Sequence, residues 1–198
     1  MTELTPNPNV GTPQEVSGGT KSRTAGVLLE VLQTVLLALV LYFLIDSFLA
    51  RVRVDKISMR PTLDPGQLLL VNKTAYRFGD VQRGDIVVFH YPLNPSEDYI
   101  KRVIGVPGDD IVIENYEVFI NGQQLEEDYI ADAPAYSGEW QVPENMYFVL
   151  GDNRNQSSDS HRWGFVPQEN LLGKAIFVYW PLSEIKTLDH PLVVKAAN

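Results

Sequence analysis

The sequence contains no cysteine and only three histidines, His90, His161 and His190. Without thiols the chain has no disulfide, no cysteine nucleophile and no cysteine-based zinc site. The H-E-x-x-H and G-x-S-x-G motifs are absent, so neither a zinc protease helix nor an α/β-hydrolase elbow is indicated. No long block of Lys and Arg occurs, and the formal net charge is −9. We therefore expect no metal, no other cofactor and no nucleic acid partner.

The N-terminal part divides into a polar segment and an apolar one. Residues 1–24 are rich in Pro, Gly, Ser and Thr and predict a disordered tail, because they bury too little apolar surface to fold. Residues 25–50 are almost continuously apolar and long enough, at about 1.5 Å per helical residue, to cross a hydrocarbon core of about 30 Å. Two acids, Glu30 and Asp46, lie towards its ends, where charged groups reach the membrane interface. This segment is predicted to be a transmembrane anchor.

A cleavable signal peptide is the alternative for this segment. Its apolar stretch is too long, and cleavage after Ala50 would put Phe48 where a small residue is needed. An uncleaved anchor fits better. Nearby basic residues favour an inside location for the C-terminal side, because two precede the helix and four follow it: Lys21 and Arg23, then Arg51, Arg53, Lys56 and Arg60.

Residues 51–198 predict a β-rich domain. From residue 66 onward, Gly, Pro, Asn and Asp separate short β-branched and aromatic runs: QLLLVNK, DIVVFHY, YIKRVIGV, DIVIENYEVFING, MYFVLGD and KAIFVYW. The pair Asn121-Gly122 indicates a hairpin turn with positive φ at both positions. Residues 123–143 are acidic and loop-like. We expect a mainly β, antiparallel fold with a small inserted lobe at about residues 110–145.

Four stretches carry a recognisable order: KISMRPTL at 56–63, RGDIVVF at 83–89, IKRVIGVPGD at 100–109 and GDNRNQSSDSHRWG at 151–164. Together they resemble the type I signal peptidases, membrane-anchored serine proteases that cut signal peptides from exported proteins. The resemblance covers nearly all of residues 51–181 and includes the apolar segment before them. The DSHxWG ending is most similar to cyanobacterial or plastid members. It implies an antiparallel β catalytic domain of signal-peptidase type behind one N-terminal transmembrane helix.

The resemblance assigns the nucleophile to Ser58 and the general base to Lys101. A serine hydroxyl needs a base to remove its proton, and a lysine serves only when it is neutral. Its pKa, about 10.4 in free lysine, must fall by roughly two units for action near pH 8, and burial is the obvious cause. The flanking residues predict such a pocket if Lys101 points inward: Tyr99, Ile100, Val103 and Ile104.

The same resemblance gives four residues of the GDNRNQSSDS stretch supporting roles. Ser157 is expected to hydrogen-bond the lysine, and Asp152, Arg154 and Asp159 are expected to hold the loop beside the site. Acids close to the lysine would raise its pKa, so we expect them to pair with Arg154 instead. Without the resemblance, this stretch is typical of a surface turn.

The chain departs from the family pattern at two positions. Lys56 lies two residues before the nucleophile, where a serine often completes the oxyanion hole, so the second donor is undetermined. His161 follows Asp-Ser, where many bacterial members have arginine. We expect the salt bridge there to shift to Arg162, and we assign His161 no catalytic role.

The resemblance implies a membrane-anchored serine endopeptidase that removes signal peptides from exported precursors through an acyl-enzyme, without metal or cofactor. Precursor proteins and membrane lipid are the expected partners, with Met59 and Pro61 contacting substrate. The membrane is plasma or thylakoid, with the catalytic domain on the outer, periplasmic or lumenal side. This contradicts the charge count, but large domains translocate largely regardless of flanking charge.

Two rivals stay open. A self-cleaving repressor of related serine-lysine type should carry a DNA-binding or cleavage-site region where this chain has its apolar segment. A non-catalytic, membrane-tethered β-domain, either a pseudoenzyme or a binding module, would tolerate replacement of Ser58 and Lys101.

Overall fold

The structure is a computed structural model that describes residues 20–188 and 192–194. It has two compact units, residues 1–44 and 45–198. Most of the predicted tail, residues 1–19, lies outside the described residues. Helix α1 spans Thr20–Phe48, so it begins inside the predicted tail and ends two residues before the predicted limit of the anchor. No proline interrupts residues 20–25, and Leu49 and Ala50 leave the helix because they pair with a strand.

Helix α1 is long and apolar enough to cross a membrane over Gly26–Phe48, which has a mean hydropathy of 2.4. Near its C-terminal end, the carboxylate of Asp46 lies 3.5 Å from the guanidinium of Arg51. Lys73 Nζ donates to the Asp46 carbonyl at 3.1 Å. Asp46 therefore belongs to an exposed polar cluster at the end of the helix.

The second unit is mainly antiparallel sheet, as predicted, and over its described residues the short helices are α2 (Ala75–Phe78) and α3 (Ser160–Trp163). All six predicted runs form strands. In chain order the strands are β1 (Leu49–Arg53), β2 (Leu68–Asn72), β3 (Ile86–Tyr91), β4 (Asn94–Gly105), β5 (Asp110–Glu114), β6 (Glu117–Ile120), β7 (Gln123–Glu126), β8 (Gly138–Gln141), β9 (Met146–Leu150), β10 (Val166–Pro167), β11 (Leu171–Trp180), β12 (Lys186–Thr187) and β13 (Val193–Val194).

The larger sheet has the order β1-β2-β11-β3-β4-β9-β10, and β12 pairs with β11. Strand β4 lies between β3 and β9, with Lys101 opposite Val87 of β3 and Arg102 opposite both Ile86 and Leu150. Pairing with β9 begins at Arg102, directly after Lys101, so β4 has neighbours on both sides from there on. At Lys101 itself the backbone is held by its pairing with β3.

The smaller sheet has the order β13-β7-β6-β5-β8. The turn between β6 and β7 is the predicted hairpin, with φ of 52° at Asn121 and 77° at Gly122. The expectation of a loop over residues 123–143 is wrong in part, because β7 and β8 lie within it. Their apolar residues, Leu125 and Trp140, pack into the same apolar cluster as Phe148, which supplies the burial that the weak sequence pattern did not indicate.

The segment after β1 is held against the larger sheet by apolar side chains. Met59 and Leu63 are 1% and 0% exposed and pack with Leu69, Ile86 and other residues of one core cluster. Full burial of such side chains is worth roughly 1.5–3 kcal/mol each. The turn before Leu63, which carries Ser58, is therefore fixed on the face of the sheet.

Candidate active site

Ser58 and Lys101 meet across 43 residues of sequence. Ser58 lies in a short 3₁₀ turn, Ile57–Met59, and Lys101 lies in β4. Lys101 Nζ is 2.7 Å from Ser58 Oγ, within hydrogen-bond distance, and donates to the Ile100 carbonyl at 3.0 Å. The amine is therefore directed at the serine hydroxyl, which is the geometry that a base and its nucleophile require.

Lys101 is buried, with only 4% of its surface exposed. Burial lowers the pKa of Lys101 from 10.5 to about 8, and the positive charge of Lys56 lowers it too. The carboxylates of Asp159 and Asp152 act in the opposite direction. The direction and the main cause agree with the sequence prediction, and a large fraction of Lys101 is neutral at mildly alkaline pH.

A cavity of about 730 Å³ opens beside this pair. Two chain segments form most of its wall, residues 52–59 and 98–101, joined by Val88, Gln156 and Ser158. Met59 contributes to this wall, although nearly all of its surface is buried in the hydrophobic core. Pro61, predicted to contact substrate, is exposed and lies outside this lining.

The loop of residues 151–159 is bonded directly to the turn that carries Ser58. Asn153 donates its backbone N–H to the Ser58 carbonyl at 3.0 Å and its side-chain amide to the Ile57 carbonyl at 3.2 Å. At Gly151 a Cβ atom would collide with the Ser58 carbonyl oxygen and with Ser157. Only glycine permits this close approach.

The predicted pairing of the acids with Arg154 is wrong. Asp152 instead accepts two hydrogen bonds from Arg102, at 2.8 and 2.7 Å, and both side chains are fully buried. Thr62 Oγ1 donates to the same carboxylate. The sequence offered one signal for Arg102 that was missed: it follows Lys101 in an apolar strand, so it projects to the opposite face and needs a buried acid.

Arg154 pairs with a residue of the lobe. Its guanidinium donates to Glu127 at 2.7 Å and to the Tyr129 hydroxyl at 3.2 Å, and the Tyr129 ring also stacks on the guanidinium of Arg102, with 4.1 Å to the centroid. Glu127 and Tyr129 lie in the stretch predicted to be a loop, which is why the sequence did not indicate them. The lobe thus clamps the 151–159 loop.

Asp159 pairs with His161, so the predicted salt bridge from Asp159 to Arg162 is wrong. The Asp159 carboxylate bonds the imidazole Nδ1 and accepts the Gly151 backbone N–H at 2.9 Å. Arg162 is exposed and donates to the other imidazole nitrogen at 3.1 Å. Tyr136 stacks on His161 with ring centroids 3.8 Å apart. His161 therefore bonds the Asp159 carboxylate, for which Arg162 was the expected partner.

The predicted hydrogen bond from Ser157 to Lys101 is not formed. Ser157 is buried, and its hydroxyl has no hydrogen-bond partner among the described residues. The lysine amine already contacts Ser58 and the Ile100 carbonyl. Ser157 packs instead in the space that Gly151 leaves open.

The remaining candidates lie at the edge of the site or outside it. Lys56 Nζ lies over the Tyr99 ring, 4.7 Å from its centroid. His90 hydrogen-bonds Asp98 at 2.8 Å, and both side chains are substantially exposed. His190 lies outside the described residues.

Comparison with known proteins places these features in a family. A family model described as signal peptidase, peptidase S26, matches residues 28–180. The signal peptidase I of Leptolyngbya laminosa is 40% identical, over 96% of this chain and 98% of its own length. A probable signal peptidase I-2 of Synechocystis is 42% identical, over 88% of this chain and 84% of its own. Signal peptidase IB of Staphylococcus aureus is 35% identical, over 83% and 95%.

A solved structure of a signal peptidase I from Enterococcus faecalis is 36% identical, with a TM-score of 0.45, over 48% of this chain and 97% of that one. The predicted resemblance, including the likeness to cyanobacterial members, is confirmed. The chain belongs to the signal peptidases, the serine peptidases of family S26.

Proposed function

We propose that this protein is a membrane-anchored serine endopeptidase that removes signal peptides from exported precursors, with Ser58 as nucleophile and Lys101 as general base. One observation carries the proposal: a buried amine, whose pKa is lowered to about 8, lies 2.7 Å from a serine hydroxyl at the wall of a cavity. The relatives named signal peptidase I support the reaction class.

Acylation begins with the neutral form of Lys101. The Ser58 hydroxyl donates its proton to Nζ as Oγ attacks the scissile carbonyl carbon, and a tetrahedral oxyanion forms. The backbone N–H of Ser58 donates to this oxyanion. The Lys101 ammonium then gives its proton to the departing amine, and the signal peptide remains as an ester on Ser58.

Deacylation repeats the proton transfers with water. Lys101, neutral again, takes a proton from a water molecule whose oxygen attacks the ester carbonyl. The second tetrahedral intermediate collapses, Lys101 returns the proton to Ser58 Oγ, and the cleaved signal peptide leaves with a new carboxylate. The amine alone performs every transfer.

The substrate binds as an extended segment. Residues 52–59 and 98–101 line the cavity, and an extended peptide beside them would take its hydrogen bonds from backbone groups. Small side chains at the first and third positions before the cut would enter shallow pockets of this cavity. Met59 is one of the apolar lining residues, while Pro61 has no place in this proposal because it lies outside the lining.

Helix α1 anchors the enzyme in the membrane, where signal peptides emerge. Its apolar stretch, Gly26–Phe48, supports this assignment. The catalytic unit lies on the outer, periplasmic or lumenal side of a plasma or thylakoid membrane, because that is where the cleavage site of an exported precursor arrives. Protease protection in sealed vesicles, with an epitope at the C-terminus, tests the sidedness.

The decisive experiment is cleavage of a purified precursor whose signal ends in Ala-x-Ala, in detergent near pH 8. Wild type should cut after the second alanine, while Lys101→Ala and Ser58→Ala should each lose several orders of magnitude in kcat/KM with unchanged circular dichroism. Wild-type rates in folded Lys101→Ala would exclude Lys101 as the base. A wild-type chain that binds precursor without cutting it would point to a binding module.

A further inference from the structure

We propose that Lys56 is a positioning residue of this site: its ammonium group, held on the Tyr99 ring, keeps Lys101 in the neutral form that the reaction needs. The inference rests on the proposed function only in taking Lys101 as the base. Lys56 is exposed, lines the cavity and precedes the nucleophile by two residues.

Tyr99 links the two lysines. Lys56 Nζ lies 4.7 Å from the ring centroid and Lys101 Nζ lies 5.4 Å from the same centroid. Taken together, the two distances limit the separation of the nitrogens to about 10 Å. An aromatic ring attracts a cation to its face, so Tyr99 holds the flexible Lys56 side chain near Lys101. An unattached lysine would spend most of its time away in solvent.

Lys56 opposes the negative charges that act on Lys101. The other groups near Lys101 come from several elements: Asp152 after β9, Asp159 before α3, the Ser58 hydroxyl and the Tyr99 ring. Asp98 lines the same cavity and is bonded to His90. Asp159 and Asp152 raise the pKa of Lys101, whereas Lys56 lowers it. Lys56 thus offsets part of the effect of the acids on Lys101.

Coulomb's law sets the size of the effect. For two unit charges about 10 Å apart, an effective dielectric constant between about 20 (protein surface) and about 80 (water) gives a pKa shift of roughly 0.3–1.2 units. Removing the charge of Lys56 should therefore raise the pKa of Lys101 by about half a unit. Below that pKa, kcat/KM should fall by about threefold, because fewer molecules carry the neutral amine.

The test measures the pKa of Lys101 directly. Full-length protein in detergent, labelled with ¹³C at the lysine ε-carbons, is titrated by NMR, and the Lys101 signal is identified by its loss in Lys101→Met. Lys56→Met should raise this pKa by about half a unit, while Lys56→Arg should leave it at the wild-type value. Added salt should shrink the difference, since Lys56 is exposed.

Arg60→Met is the matched control. It removes one positive charge at the same sequence distance from Ser58, but Arg60 is paired with Asp64 and lies outside the cavity lining. The inference is overturned if Lys56→Met leaves the NMR pKa unchanged, or if Arg60→Met moves it equally. The acid limb of the kcat/KM profile is measured on the same samples. An NMR shift without a matching kinetic shift would contradict Lys101 as the base, and hence the proposed function, but not the coupling of the two lysines.

Discussion

Replacement of Lys101 by methionine should abolish catalysis and at the same time stabilise the fold. Burial lowers the pKa of Lys101 from 10.5 to about 8, so at pH 7 the folded protein holds a proton that it binds less tightly than the unfolded chain does. Because each pKa unit corresponds to about 1.4 kcal/mol, this costs roughly 3 kcal/mol of stability. Methionine fills similar space without a charge.

The gain is reduced by two lost contacts. The Ile100 carbonyl and the Ser58 hydroxyl each lose the hydrogen bond with Nζ, worth about 1 kcal/mol apiece. Lys101→Met should therefore raise the free energy of unfolding by about 1 kcal/mol at pH 7. Between pH 8 and 10.5 the unfolded wild-type chain binds more protons than the folded one, so wild-type stability rises with pH and the advantage of methionine disappears.

Urea unfolding of the full chain in detergent, followed by tryptophan fluorescence, measures the free energy of unfolding of each variant at pH 7 and at pH 10.5. Ser58→Ala is the control, because it also removes activity but leaves the buried amine in place. It should show no comparable gain. A Lys101→Met variant that is no more stable than wild type at pH 7, or whose advantage is the same at both pH values, would refute the reasoning.

Three further predictions concern the 151–159 loop and two residues that bond to it. Gly151→Ala should reduce kcat by about a hundredfold in a folded protein. The added Cβ pushes the Ser58 carbonyl away and so misplaces Ser58 relative to Lys101. Wild-type turnover in this variant would contradict the prediction. Glu127→Gln should lower the free energy of unfolding by about 3 kcal/mol in urea titrations, because the fully buried Arg154 loses its carboxylate partner. A change under 1 kcal/mol would show that the Tyr129 hydroxyl alone is a sufficient partner for Arg154. His161→Arg should keep kcat/KM within severalfold of wild type, whereas His161→Ala should lower it more, since only the arginine still bonds Asp159.

The fold was largely predictable from local patterns, and the places where the prediction failed have local causes. Runs such as DIVVFHY are β-branched or aromatic and end at turn residues, so propensity and burial agree there. Strand β1, Leu49–Arg53, was missed because it continues the apolar run of helix α1, and only pairing with β2 ends the helix. Strand β8, Gly138–Gln141, has two polar residues in four and forms because β5 offers it an edge.

The site, like the fold, has a part that could be predicted from the sequence and a part that could not. The resemblance predicted that Ser58 and Lys101 act together, and the chain brings their reactive atoms to 2.7 Å. The partners of the buried ions were not predictable. Glu127 lies 27 residues before Arg154 in a stretch without periodic pattern, and an ion pair of this kind depends on tertiary geometry alone.

Adjacent basic residues of β4 show why the nearby acids do not cancel the lowered pKa of Lys101. Lys101 and Arg102 point to opposite faces of one strand and are both buried. Arg102 takes both oxygens of Asp152, and the carboxylate of Asp159 is shared between His161 and the Gly151 N–H. Each acid that acts on the lysine is therefore bonded to another donor, and burial remains the dominant influence on Lys101. A loop rich in aspartate can thus lie against a neutral amine, provided that every carboxylate has its own partner.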